Sequence, residues 1–191
     1  MNIQFCGVKN LRKTVNDLMA GYEWQSIAPD NGELETSIDH FPWESNWPMV
    51  YNFNPKSKAP FKGNCIEQTL YIKKHIPQAA IAYFKWIQHG VNSFHVEAIL
   101  NDGGICRTVF IEPKDGNYLS RRKFWIPRNF IRWRCLTCSD QKKEPVDVYI
   151  LKTIPAKGDA QTLLEYVKAN GEKARFRGGR LYTQGEWWRQ E

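Results

Sequence analysis

The sequence predicts a mixed fold of helices and antiparallel strands, on the basis of three observations. Apolar residues within 8–22 recur at the three- and four-residue spacing of an amphipathic helix. Asn64 and Glu67 have the spacing of a capping box, which marks the start of a second helix. The run Asn-Asp-Gly-Gly at 101–104, between two alternating segments, is typical of a tight β-hairpin turn because these residues tolerate positive φ.

Local patterns predict the remaining elements. A third helix begins after Asp159, a favourable N-cap residue, and ends at Gly171. Residues 29–62 are rich in Pro, Asn, Ser and Trp and follow no period, so we expect a long ordered loop whose aromatic part, 41–53, borders the substrate site. Strands are predicted at 79–87, 94–101, 106–112, 129–136 and 146–154.

Composition excludes several classes of protein. The chain has 191 residues, of which 42 % are hydrophobic and 25 % charged, as is usual for a globular protein. No apolar run approaches the ~20 residues that a membrane span needs, and no secretory leader is recognisable. The five cysteines, an odd number, favour free thiols in a reducing, cytoplasmic setting. We expect one domain over residues 1–170, with its core at about 60–155, and a basic aromatic tail over 171–191.

The net charge of +7 is concentrated in the second half of the chain. The simplest interpretation of this excess is a solvated surface with a basic tail. A basic surface also attracts acidic partners by long-range electrostatics, so an acidic protein is a possible partner. Nucleic acid is not expected as a partner, and no membrane association is expected.

Three residues in the centre of the chain form a pattern suited to nucleophilic chemistry. Cys65 falls in the first turn of the capped helix, where the helix dipole favours a thiolate. His95 lies on the strand that enters the hairpin and Glu112 on the strand that returns, at similar distances from the turn. An imidazole can take and return a proton, and a carboxylate can orient it. We therefore predict that Cys65, His95 and Glu112 form a catalytic group.

The segments around these positions resemble those of a known family. The runs Gly-Asn-Cys-Ile-Glu at 63–67, His-Val-Glu-Ala at 95–98 and Phe-Ile-Glu-Pro at 110–113 are similar to the three signature segments of the transglutaminase-like cysteine hydrolases, which share the papain-like core. The resemblance covers about residues 60–116. Glu112 stands where the family usually has Asp, and the Trp that often accompanies the His is missing here.

This resemblance implies an α+β fold in which the helix carrying Cys65 packs on an antiparallel sheet carrying His95 and Glu112. It also implies acyl transfer through a thioester, with Cys65 as nucleophile, His95 as base and Glu112 as orienting acid, and without a cofactor. The expected protein is a thiol-dependent hydrolase or acyltransferase, a peptidase or amidase, acting on a peptide, isopeptide or glutamine side-chain amide of a protein or peptide. Two alternatives stay open: an inactive member of the fold, and a basic module that binds nucleic acid or an acidic protein.

Other chemistry-bearing residues have simpler interpretations. Glu67 is predicted to cap the helix. Glu97 shares a strand face with His95 but is expected to be a solvated carboxylate. Cys135 and Cys138 form a single Cys-x-x-Cys pair, whereas a structural zinc site needs four ligands, so we predict two packed thiols and no metal.

Overall fold

A computed structural model describes residues 10–24, 50–56, 61–88, 91–109, 116–120, 147–177 and 180–183. These segments contain three helices and ten strands. The helices are α1 (Leu11–Met19), α2 (Cys65–His75) and α3 (Ala160–Asn170). The strands are β1 (Tyr22–Trp24), β2 (Val50–Asn52), β3 (Phe61–Gly63), β4 (Ala80–Gln88), β5 (Val91–Asp102), β6 (Ile105–Thr108), β7 (Asp147–Leu151), β8 (Lys157–Asp159), β9 (Glu172–Arg177) and β10 (Arg180–Thr183). Among the helices of these segments, none is long and apolar enough to cross a membrane.

Six of the strands form one antiparallel sheet in the order β10-β9-β7-β4-β5-β6. At its centre, Phe84 of β4 pairs with His95 on β5 and with Val148 on β7. Two smaller sheets accompany it, with β1 parallel to β3 and β2 antiparallel to β8. The predicted combination of a few helices with antiparallel strands is therefore confirmed at this coarse level.

The predicted hairpin joins β5 to β6. Gly103 and Gly104 have φ values of 60° and 86°, which glycine adopts without the steric cost that a Cβ would bring. The side chain of Asn101 accepts a hydrogen bond of 2.7 Å from the backbone N–H of Gly104 and closes the turn. From the turn, the ladder runs back to Ile99, which faces Thr108.

The two faces of the large sheet pack differently. On the outer face, Val96 and Tyr83 pack against Ile66 of α2 and Leu163 of α3, and α1 packs beside α2 on the same side. On each strand, the residues on either side of an outward-pointing residue point to the inner face, because strand side chains alternate. The inner cluster consists of Ala80, Ala82, Phe84, Ile99, Cys106, Val148, Ile150 and Ala174, with Leu181 packed against it.

The sheet curls until its two edge strands approach each other. Strand β10 contacts β6, and the backbone of Leu181 hydrogen-bonds the thiol of Cys106. The inner face can curve this tightly because three of its positions are small, Ala80, Ala82 and Ala174. Edge-to-edge contact also covers strand edges that would otherwise expose unpaired backbone groups.

Helix α2 begins as the capping box predicts. The Asn64 side chain accepts hydrogen bonds of 2.9 and 3.1 Å from the backbone N–H groups of Ile66 and Glu67. In return, one oxygen of the Glu67 carboxylate accepts a hydrogen bond of 2.7 Å from the backbone N–H of Asn64. Its second oxygen accepts a hydrogen bond of 3.0 Å from the backbone N–H of Asn52 on β2. A cap of this kind stabilises a helix by about 1 kcal/mol. Here it also ties β2 to the first turn of α2.

Two regions differ from the sequence-based expectation. Residues 172–177 and 180–183 were expected in a loose tail but form β9 and β10, because the buried Ala174 and the packed Leu181 alternate with charged residues and give the segment an apolar side. Parts of the expected loop form β2 and β3. Several predictions lie outside the described residues: the strand at 129–136, the loop as far as residue 49, the pair Cys135 and Cys138, and the tail beyond residue 183.

Candidate functional site

Cys65 is the first residue of α2 and is only 8 % exposed. Its carbonyl accepts a hydrogen bond of 2.8 Å from the Thr69 hydroxyl, within the first turn. Because Asn64 caps the helix, the position of Cys65 relative to the helix axis is well defined. The sulfur therefore lies at the positive end of the helix dipole, in surroundings that favour the thiolate.

The structure brings His95 to Cys65. The imidazole forms a side-chain hydrogen bond with Cys65, and the histidine is itself only 7 % exposed. Helix α2 packs against β5, the strand that carries the histidine, and the ring itself is on the inner face of that strand, since His95 pairs with Phe84. Phe84, the register partner of His95, lies beside the ring with the two ring centroids 6.3 Å apart.

Among the residues that the structure describes, Glu97 is a carboxylate that contacts the ring. Its Oε1 lies 3.3 Å from His95 Nε2, and its side chain is 25 % exposed. Residues 95 and 97 share one face of β5 because they are two apart on a strand. The expectation that Glu97 is merely a solvated carboxylate is therefore wrong.

The electrostatics of the site favour a charged imidazole. Burial alone would lower the pKa of His95, because a buried imidazolium loses its hydration. The charge and hydrogen bond of Cys65, followed by the hydrogen bond and charge of Glu97, outweigh burial and raise that pKa to about 9. The ring is then an imidazolium at neutral pH, and an imidazolium beside a sulfur stabilises the thiolate.

Of the predicted group of three, Glu112 lies outside the described residues. Its role as the orienting acid therefore stays a prediction. Within the described segments, no cluster of three or more His, Cys, Asp or Glu side chains is arranged to hold a metal ion.

Tyr22 is a residue of the site that sequence reasoning did not identify. Its hydroxyl lies 2.9 Å from the carbonyl oxygen of Gly63 and 3.2 Å from that of Asn64, the two residues before the cysteine, and donates to them. Burial, then the charges of Glu67 and Cys65, raise the pKa of Tyr22 well above its usual range, so the phenol stays neutral. The sequence showed Tyr22 only as the last apolar residue of the first helical pattern.

Comparison with known proteins identifies no relative of this chain. No protein-family model matches the sequence, and no curated protein and no solved structure matches it significantly. The resemblance to the transglutaminase-like hydrolases therefore rests on the three sequence segments, and the chemistry of the site must be argued from its own geometry.

We predict that the His95 ring titrates near pH 9 and that Cys65→Ala lowers its pKa more than Glu97→Gln does. The sulfur contributes more than the carboxylate to keeping the ring charged. NMR titration of the ring Cε1–H signals measures the pKa, and His95→Gln identifies the relevant signal among the four histidines. A ring that still titrates near pH 9 in Cys65→Ala would show that the sulfur is not its main partner.

We predict that Tyr22→Phe loosens the start of α2. The variant loses the hydroxyl that bonds the carbonyls before Cys65, at a cost of about 1 kcal/mol in the free energy of unfolding. Amide hydrogen exchange at Ile66 and Glu67 should become faster. Tyr71→Phe is the matched control, because that hydroxyl donates to the Leu18 carbonyl of α1, at 3.4 Å, and not to the carbonyls of Gly63 and Asn64. Equal exchange in both variants would contradict a positioning role for Tyr22.

Proposed function

We propose that this chain is a thiol-dependent hydrolase or acyltransferase that acts on an amide bond of a protein or peptide, with a transglutaminase-like, papain-like core. The observation that carries the proposal is the hydrogen bond between Cys65 and His95 at the capped start of α2. A thiolate and an imidazolium in contact are the resting pair that a cysteine nucleophile needs. The three sequence segments that resemble the family support the same chemistry.

The reaction follows from the positions of these two groups. The Cys65 thiolate attacks the amide carbonyl, and the His95 imidazolium gives its proton to the leaving amine, so that a thioester forms. Water or a second amine then attacks the thioester while His95 accepts its proton, and Cys65 leaves as the thiolate. The backbone N–H of Cys65, next to the sulfur, is the natural donor to the oxyanion of each tetrahedral intermediate.

Glu97 is our candidate for the acid that orients His95. An imidazole has two nitrogens, and in a catalytic group of this kind one faces the nucleophile and the other the acid. Glu97 lies at Nε2, which assigns Nδ1 to the sulfur. The separation of 3.3 Å is long for a charge-assisted hydrogen bond, but such contacts are often loose before substrate binds. Glu112, the acid implied by the family resemblance, is the rival candidate.

Burial of the two reacting groups also suits the proposed chemistry. Cys65 and His95 are 8 % and 7 % exposed, so both charges are largely removed from water. In such surroundings the attraction between them is stronger than at an open surface, and each becomes costly to leave unpaired. The two charges therefore stay paired before substrate binds, and the low exposure of both side chains restricts how the substrate reaches the sulfur.

The first test measures the reactivity of the thiols. We predict that iodoacetamide labels Cys65 fastest of the five cysteines at pH 7, because its sulfur is a thiolate whereas an ordinary thiol is only a few per cent ionised there. His95→Gln should slow the labelling of Cys65 about tenfold. Peptide mapping by mass spectrometry gives each rate. Cys106 is an internal control, because burial raises the pKa of its thiol to about 11.

Capture of an acyl-enzyme completes this test. An activated ester or acyl probe should become attached to Cys65, and Cys65→Ala should abolish the capture while circular dichroism shows an unchanged fold. Uniformly slow labelling of all five thiols, or capture that survives Cys65→Ala, would reject the mechanism. Labelling that is fast without any acyl capture would identify an inactive member of the fold with a reactive thiol.

The second test separates the two candidate acids. We predict that Glu97→Gln lowers the rate of probe acylation about a hundredfold, because a neutral amide does not stabilise the charge on the ring and can hold the ring in the wrong tautomer. Glu112→Gln is the matched variant, with the same change of charge and shape. A Glu97→Gln protein that reacts at the normal rate, beside a slow Glu112→Gln protein, would assign the role to Glu112 instead.

A further inference from the structure

The outer side of strands β9 and β10 is strongly basic. Arg175 and Tyr182 face each other across the two strands, and Arg180 lies two residues before Tyr182 on the same side. Arg175 and Arg180 are exposed, while their strand neighbours Ala174 and Leu181 point to the other face of the sheet and pack on the inner cluster. We call the surface formed by Lys173, Arg175, Arg180 and Tyr182 the basic ribbon face.

This face already pairs with a carboxylate of the chain itself. Lys173 Nζ lies 2.8 Å from Asp147 Oδ1, with both side chains about half exposed. The hydrogen bond and charge of Asp147 raise the pKa of Lys173, against the opposing effects of slight burial and of the positive charge on Arg175. The basic ribbon face is therefore a region of positive potential that already binds one carboxylate of the chain.

The sheet register relates the basic ribbon face to the candidate site. Lys173 pairs with Tyr149, Tyr149 with Tyr83, and Tyr83 with Val96, the neighbour of His95. Strand β9 is three strands from β5 in the sheet, a separation of about 14 Å at the usual strand spacing. The outer face is also the side on which α2, the helix of Cys65, packs. Cys65 packs in the same outer cluster as Tyr83 and Val96, so it lies on the same side of the sheet as the basic ribbon face, whereas the His95 ring, which pairs with Phe84, points to the inner face. Tyr83, in the middle of this row, is buried beneath α2 and α3, so a substrate that contacted both surfaces would pass over these helices.

We propose that the basic ribbon face is an exosite that holds an acidic segment of a polypeptide substrate while another part of that substrate reaches Cys65. This inference rests on the proposed function, since it names the class of substrate for the same site. Arg guanidinium groups on neighbouring strands suit carboxylates that alternate along an extended chain. Tyr182 adds apolar surface between the charges. Single-stranded nucleic acid is the other polyanion that a basic surface attracts, so the test compares it directly with the acidic peptide.

The test measures binding without turnover, by fluorescence anisotropy on the full chain. The probe is a labelled 12-residue peptide of alternating Glu and Ser, compared with the same peptide carrying Gln in place of Glu. We expect the Glu peptide to bind and the Gln peptide to bind at least tenfold more weakly. The double variant Arg175→Ser/Arg180→Ser should lose about tenfold in affinity for the Glu peptide. The control Lys74→Ser/Lys168→Ser removes two charges from exposed helix positions and should change little.

Each contrary result overturns the exosite. It is rejected if neither peptide binds, if both peptides bind equally, or if the two double variants lose affinity equally, since the last result would reflect net charge alone. Tighter binding of a single-stranded oligothymidylate of matched charge would identify a nucleic-acid surface instead. The variant Arg175→Lys/Arg180→Lys keeps the charge and should retain most of the binding, which guards against loss of fold. Failure here leaves the labelling of Cys65 untouched, so it is distinct from failure of the proposed function.

Discussion

The contact between helix α2 and strand β5 is the constraint on which the candidate site depends. A capped helix start and a strand are each ordinary, but their packing places a sulfur at the positive end of a helix beside a buried imidazole. Two buried groups that can each carry charge are tolerable in this position because they neutralise each other, with Glu97 as a third partner. Any change that separates α2 from β5 would leave these groups unpaired in apolar surroundings.

The elements around α2 serve to hold its first turn in place. Glu67 binds both the start of the helix and the backbone of β2, and Tyr22 bonds the carbonyls that precede Cys65. These contacts come from three separate parts of the chain. For the nucleophile that we propose, a turn fixed from several sides would reduce the rearrangement needed during reaction, which is the general advantage of a preorganised site.

The curled sheet divides the molecule into an inner and an outer side. The inner side is filled mainly by small and apolar residues, but His95 and Glu97 also point to it, since they pair with Phe84 and Ala82. On the outer side, positive charge collects at β9 and β10, whereas the buried pair lies at β5. A substrate that used both surfaces would be oriented by weak, exposed contacts before it met the desolvated pair, and the exposed contacts would supply specificity more than affinity.

Local sequence signals determined the elements whose causes are local. The capping box of Asn64 and Glu67, the glycines of the hairpin turn and the Asp159 cap each act within a few residues, and all three were predicted from the sequence. The tertiary structure decided the rest. Glu97, which was expected to be solvated, contacts His95. Tyr22, which lies outside the sequence motif, bonds the turn before Cys65. The basic segment after residue 171 forms strands of the large sheet. These outcomes depend on which surfaces meet across the fold, and an amino-acid sequence shows the period of a strand without showing what packs against it.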